Sequence, residues 1–118
     1  MQENVVTENG VGGILVGDHG SIIYNRVDGN VGDLLGSYVN GITAGAFATI
    51  TGNYVGENSG YGLRAGSSSQ VNSNTVEDNG STGIHVSCPS AVANNTASRN
   101  DPNYEMYPEG KCRGNNNK

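Results

Sequence analysis

Short apolar runs broken by Gly and Asn recur along the chain at a fixed distance. Ile50-Thr51-Gly52-Asn53-Tyr54-Val55 returns one period later as Val71-Asn72-Ser73-Asn74-Thr75-Val76. A second Asn follows the first at constant spacing, Asn58 then Asn79, and beyond it comes a Gly with an aliphatic neighbour, Gly62-Leu63 then Gly83-Ile84. The first Asn of this unit falls at Asn4, Asn25, Asn53, Asn74 and Asn95, evenly spaced except for one longer gap, from Asn25 to Asn53. The second tracks it at Asn9, Asn30, Asn58, Asn79 and Asn100. The excess in the longer gap lies in an insertion at 31–40.

Apolar residues two apart, with turn-forming residues between the runs, predict strands, and no stretch shows helical spacing over a helix length. Each repeat then supplies three short strands. The first points Ile14 and Val16, Ile42 and Ala44, Leu63 and Ala65, or Ile84 and Val86 inward. The second buries Ile22, Ile50, Val71 or Val92, and the third Val6, Val27, Val55, Val76 or Ala97. Equivalent residues recur in one chain direction, so successive repeats stack as parallel strands about 4.8 Å apart. Asn9-Gly10, Asn40-Gly41 and Asn79-Gly80 would suit antiparallel hairpins, but the period favours the solenoid. The fold class expected is all-β: a parallel β-helix of about four to five 21-residue coils over residues 1–100, with 101–118 as a C-terminal tail and possible cap. Asp101-Pro102-Asn103-Tyr104 interrupts the repeat, Tyr104, Met106, Tyr107 and Pro108 are placed over the last coil, and 114–118 is expected to be disordered.

Asn25, Asn53, Asn74 and Asn95 are expected to occupy the bend between second and third strands, each tolerating the left-handed region, and to bond along the stack as a ladder. A chain of 118 residues with nineteen glycines and one Phe can build only a narrow aliphatic core; a solenoid needs no more, because each repeat buries its apolar face on its neighbours. A net charge of −5 with six Lys and Arg leaves no basic stripe for phosphates, which argues against a nucleic-acid partner. No apolar run reaches the roughly 20 residues of a spanning helix, which argues against a membrane. Met1-Gln2-Glu3-Asn4 has neither region of a signal peptide, so the compartment stays unknown; an extracellular place is compatible if a signal has been removed. Cys88 and Cys112 fit no zinc spacing. Either a disulfide joins them or both are free, and a bridge would tie the C-terminal segment down.

With this repeat, residues 4–100 resemble the right-handed parallel β-helix proteins of the pectate-lyase-like group. The resemblance implies a coil of three strands and three turns, an Asn ladder at a short turn, and turn insertions that wall a substrate cleft. It also implies more coils and an N-terminal capping helix, whereas no amphipathic segment precedes Asn4 here.

On the first strand the outward position of successive coils holds Leu15, Thr43, Arg64 and His85. Arg64 and His85 should be neighbours, beside Asp33 and Tyr38 of the insertion and near the turn carboxylates Glu57 and Asp78. A cation and an imidazole beside carboxylates suit the binding or deprotonation of an acidic sugar. The alternative is that outward positions on a solenoid are simply polar. Family lyases use Ca²⁺-binding aspartates and an Arg near this face, and family hydrolases clustered aspartates with a His; only Arg64 and His85 match in type. No acidic pair falls on the column, so the parts for Ca²⁺-dependent lysis or two-carboxylate hydrolysis are missing. Asp18-His19 reads as a solvated turn.

These observations favour a non-catalytic module that binds an acidic carbohydrate or a protein partner, with no metal and no cofactor. The rivals are a partial or degenerate polysaccharide lyase, hydrolase or epimerase, the only case in which Ca²⁺ would enter, and a structural assembly unit. A homodimer through the uncapped first coil is expected, because Met1 to Glu3 are too few to cover Val6, Ile14, Val16 and Ile22.

Overall fold

The structure, a computed structural model, describes residues 1–32 and 38–118. Among these residues the chain runs through short strands with no helix. The first strands are β1 (Val5–Thr7), β2 (Ile14–Val16), β3 (Ser21–Ile23), β4 (Arg26–Asp28), β5 (Ile42–Ala44), β6 (Thr49–Thr51) and β7 (Tyr54–Gly56). They are followed by β8 (Leu63–Ala65), β9 (Gln70–Asn72), β10 (Thr75–Glu77), β11 (Ile84–Ser87), β12 (Ala91–Ala93) and β13 (Thr96–Ser98). Two more, β14 (Tyr104–Tyr107) and β15 (Arg113–Asn115), close the series.

Every third strand joins the same sheet. The orders are β1-β4-β7-β10-β13, β2-β5-β8-β11-β14 and β3-β6-β9-β12-β15, five strands each. All pairings are parallel, and equivalent residues face each other in register: Ile50 opposite Val71, Val55 opposite Val76, Leu63 opposite Ile84. The chain is therefore an all-β solenoid of about five coils. The three Asn-Gly steps are not hairpins: parallel strands leave no antiparallel partner for a two-residue loop to join.

Alternation within each short strand decides what is inside. Ile22, Val27, Ile42, Ile50, Val55, Leu63, Val71, Val76, Ile84, Val86 and Val92 are fully buried. Each such aliphatic contributes about 1.5–3 kcal/mol relative to an exposed one. At the first coil, Ile14 and Ile22 are buried, at 4% and 0% exposure, while Val6 and Val16 are half-buried against the core. Met1 to Glu3 do more than their number suggests: the Met1 amino group donates to Ser21 O at 2.6 Å, Ile23 N–H to Met1 O at 2.9 Å, and Glu3 N–H to Ile23 O at 3.1 Å. They lie along β3 as a partial further rung, so only part of the expected apolar end is uncovered.

The Asn ladder forms at the predicted corner. Asn25, Asn53, Asn74 and Asn95 are buried, and the side-chain amide of each donates to the Oδ1 of the next, at 3.1 Å, 2.9 Å and 3.0 Å for the three steps. Each Oδ1 also accepts the backbone N–H of the preceding ladder Asn, so both lone pairs are used. The backbone reading of this turn needs correction. The left-handed residue is the one before the Asn: Glu3, Tyr24, Gly52, Ser73, Asn94 and Asn116 have φ of 54°, 53°, 68°, 57°, 56° and 51°. The preceding residue reverses the chain and leaves its own side chain outside, while the Asn turns inward and bonds.

A second ladder runs along the next corner. Asn9, Asn30, Asn58, Asn79, Asn100 and Asn103 are linked by amide-to-Oδ1 bonds of 3.0, 2.8, 2.9, 3.0 and 3.2 Å. It explains the Gly before each first strand. A Cβ on Gly41 or Gly62 would come within 2.7 Å of the ladder amide of Asn58 or Asn79, so only glycine lets the chain pass.

The C-terminal segment also differs from expectation. Residues 114–118 are not a disordered tail: β15 pairs with β12, and Asn117 continues the first ladder, accepting from the Asn95 amide at 3.0 Å. β14 pairs with β11 and lays Tyr104 and Met106 against the core, whereas Tyr107, 71% exposed, and Pro108 are turned to solvent instead of covering the last coil. A disulfide joins Cys88 and Cys112.

Candidate functional site

Register builds the site. Leu15, Thr43, Arg64 and His85 face one another in succession across β2, β5, β8 and β11, and β14 extends the column with Glu105. Because the flanking residues of each strand are turned to the core, the middle residue must point out. The column thus changes from apolar through hydroxyl and cation to imidazole and carboxylate along the stack.

Arg64 and His85 are neighbours, as the spacing predicts, and Tyr61 stands beside both. The Arg64 guanidinium lies 5.9 Å from the Tyr61 ring centroid, within reach of a cation–π contact, and the His85 ring is 5.5 Å from it, tilted by 59°. Among the described residues Arg64 has no carboxylate partner. His85 Nε2 is 4.0 Å from Glu105 Oε2, and Glu105 is steadied by the Thr82 hydroxyl, which donates to it at 3.2 Å. His85 Nδ1 is buried without a partner among the described residues, so Nε2 is the nitrogen left to meet a ligand.

The turn before the column carries the rest. Tyr38, Asn40, Gly60, Tyr61, Gly80 and Ser81 line a depression of about 340 Å³. Asn40 Oδ1 accepts the Tyr61 N–H at 3.0 Å, and its amide donates to the Thr43 hydroxyl at 3.3 Å, which ties the depression to the column. Tyr38 and Asn40 also border a second depression of about 250 Å³ that reaches Val11, Leu15 and Thr43. Tyr38 is 76% exposed, so its ring face is free for contact. Of the predicted site residues, Arg64, His85, Tyr38 and Thr43 fall on this one face, whereas Asp33 lies outside the described residues. Among the described residues no three His, Cys, Asp or Glu side chains converge as a metal site.

No family model, curated protein or solved structure matches this chain.

Tyr61 and Glu105 are absent from the residues that the sequence points to. Tyr61 carries a signal, since it stands just ahead of Arg64 at the Gly-aliphatic step. Glu105 carries none, because the repeat lapses before it. The predicted turn carboxylates Glu57 and Asp78 belong elsewhere. Asp78 and Glu77 form ion pairs with Arg99 at 2.7 and 2.8 Å, and the Arg99 hydrogen bonds hold the Asp78 carboxyl below its ordinary range. Across the same sheet Arg26 stacks 4.7 Å from the Tyr54 ring centroid, and the Tyr54 hydroxyl donates to Glu77 at 3.1 Å. This network spends its charges internally and offers a ligand little. Asp18 accepts the Ala46 N–H at 2.8 Å, and His19 stacks on Phe47 with centroids 5.0 Å apart, which makes that corner a bonded turn.

Proposed function

We propose that this solenoid, whose coils resemble those of the right-handed β-helix proteins of the pectate-lyase-like group, is a non-catalytic binding module for an acidic carbohydrate. One observation carries the reading: a cation without a carboxylate partner among the described residues, Arg64, stands against the Tyr61 ring at the edge of a depression that already presents a second open tyrosine, Tyr38. A sugar ring offers C–H groups to the aromatic faces and hydroxyls to Asn40 and Ser81, while a uronate carboxylate pairs with Arg64.

The column lacks the pair of carboxylates that hydrolysis uses, since Glu105 stands on it alone. Titration calorimetry with an oligogalacturonate should give saturable binding, a neutral oligosaccharide of equal length much less, and Arg64→Ala and Tyr61→Ala should each weaken it about tenfold or more. Absence of heat with the wild type removes the proposal. Release of unsaturated uronate product from the same mixture, with or without Ca²⁺, would replace it with the lyase reading.

A second contact is favoured by the first coil. Val5, Val11 and Leu15 are 71%, 94% and 81% exposed there, beside the open edges of β1 and β2. The occupant that suits an apolar, open strand edge is a second copy of this chain meeting it about a two-fold axis.

A further inference from the structure

On the sheet of β3, β6, β9, β12 and β15, the outward residue of β12 is an alanine flanked by two long side chains. Register puts Gln70 and Arg113 on either side of Ala91. The missing bulk leaves a depression of about 310 Å³ whose other walls are Ser68, Ser69, Pro89, Ser90 and Lys111. It lies on a different sheet from Tyr61 and Arg64, and the carbohydrate reading does not use it.

Its chemistry is at odds with the rest of the molecule. The chain has eleven acidic residues against six Lys and Arg, yet no carboxylate lines this depression, and two of the six cations do. Arg26 and Arg99 are engaged by carboxylates, whereas Lys111 and Arg113 have no ion pair among the described residues. Ser68 and Gln70 add a hydroxyl and an amide whose side chains have no hydrogen-bond partner among the described residues. The hydroxyls of Ser69 and Ser90 are already committed, accepting the N–H groups of Ala48 and Ser69 at 3.1 and 3.0 Å, so they shape the wall. Donors on two sides of a small floor, with no acceptor charge opposing them, suit a compact anion that takes hydrogen bonds in several directions.

The walls are also held in place. Cys88 precedes Pro89 on one wall, and Cys112 stands between Lys111 and Arg113 on the other, so the disulfide joins the two walls and fixes the backbone that carries both cations. Arg113 N–H donates to Ser90 O at 2.8 Å from the same segment. Ordering the chain segment that carries two cations is part of the cost of such a site, and a covalent clamp on that segment lowers it before the ligand arrives.

We propose that this disulfide-clamped depression binds a tetrahedral oxyanion, sulfate or phosphate, as the free ion or as an ester. The test is amide chemical-shift titration of the oxidised chain with inorganic sulfate, inorganic phosphate, and a sulfated and a phosphorylated monosaccharide. Saturable shifts confined to residues around Ser68, Gln70 and 111–113 are expected, and the ester arms tell a free ion from an ester. The double change Lys111→Ala with Arg113→Ala, both on the surface, should weaken binding about tenfold or more, while Lys118→Ala should not. Cys88→Ser with Cys112→Ser should weaken it as well, with the amide spectrum of the other coils unchanged. No saturable shift with any of the four probes, or shifts that survive removal of both cations, would overturn the site; undiminished binding in the cysteine variant would overturn the clamp.

Discussion

The Asn25 amide donates to Asn53 Oδ1 at 3.1 Å across the longest gap in the repeat, with the same partner atoms that link Asn53 to Asn74 across a normal one. The second ladder does likewise from Asn30 to Asn58, at 2.8 Å. Register is therefore restored immediately on both sides of the longer connection. Asn53→Ala and Asn74→Ala should each destabilise by about 1–3 kcal/mol, because each leaves ladder neighbours buried and unpaired. Asn58→Ala and Asn79→Ala should cost a similar amount, since the second ladder is bonded in the same way. Urea melts of the four variants check this, and a second-ladder pair that melts like wild type would show those bonds to be dispensable.

Removal of residues 31–37 joins Asn30 to Tyr38-Val39-Asn40-Gly41, which reproduces the spacing of Asn58 to Gly62. Val39 is buried and its N–H donates to the Ser59 hydroxyl at 2.9 Å, so the chain beyond the cut is already anchored. The shortened protein should keep its β circular dichroism and a cooperative melt. Loss of either would make the segment part of the core.

Core and outward positions should separate cleanly. Ile50→Ala, Val71→Ala and Ile84→Ala remove fully buried aliphatics and should cost about 2–4 kcal/mol each. Thr51→Ala and Gln70→Ala, on outward positions of β6 and β9, should fall within about 0.5 kcal/mol. Denaturant midpoints that rank the two groups together would contradict the strand faces.

Acid should loosen the third-strand sheet before it loosens the core. The Asp78 carboxyl is held below its ordinary value by Arg99, so its contribution is present above the unfolded-state value and is lost as pH falls through the lowered folded value. Arg99→Ala should therefore flatten the stability profile on the acid side, read as the thermal midpoint against pH. Its size stays small, because the groups are exposed. In the alkaline direction burial raises the Tyr104 hydroxyl, so its contribution is complete below the unfolded value and disappears as pH rises through the folded one.

Light scattering should give twice the chain mass at micromolar concentration. Leu15→Lys, at an 81% exposed position on the open edge, should return the mass to that of one chain while the β circular dichroism is kept. A wild-type monomer at high concentration would mean that the first coil is covered well enough by Met1 to Glu3 alone.

Much of the fold is legible in the sequence because a parallel stack repeats its demands. Ile22, Ile50, Val71 and Val92 answer the same requirement on successive coils, and a constant period exposes them together. The end of the stack is not legible for the same reason. Tyr104 faces Ile84 one position ahead of the period, and Asn117 meets Asn95 one position behind it. One residue is lost before β14 and two are gained between β14 and β15, which breaks the printed repeat and hides Glu105 with it. The left-handed residue sits one position earlier than the Asn that the sequence suggests, because Tyr24, Ser73 and Asn94 share no side-chain chemistry; their common property is that they precede a buried Asn. Tyr61 belongs to a turn, where neither alternation nor the ladder dictates identity.

The two ladders make the upper surface of one coil fit the lower surface of any other: every interior Asn presents Oδ1 to one neighbour and its amide to the other. Length is then an adjustable quantity in this protein. In-frame duplication of residues 54–74 would keep the Asn53-to-Asn74 bond at one end and the Tyr54–Thr75 pairing at the other, with the two copies meeting each other between them. The barrel would lengthen by one rung of about 4.8 Å. Such a lineage can gain or shed whole turns by slippage in its coding sequence, and each added turn brings one blank outward letter on every sheet for selection to fill.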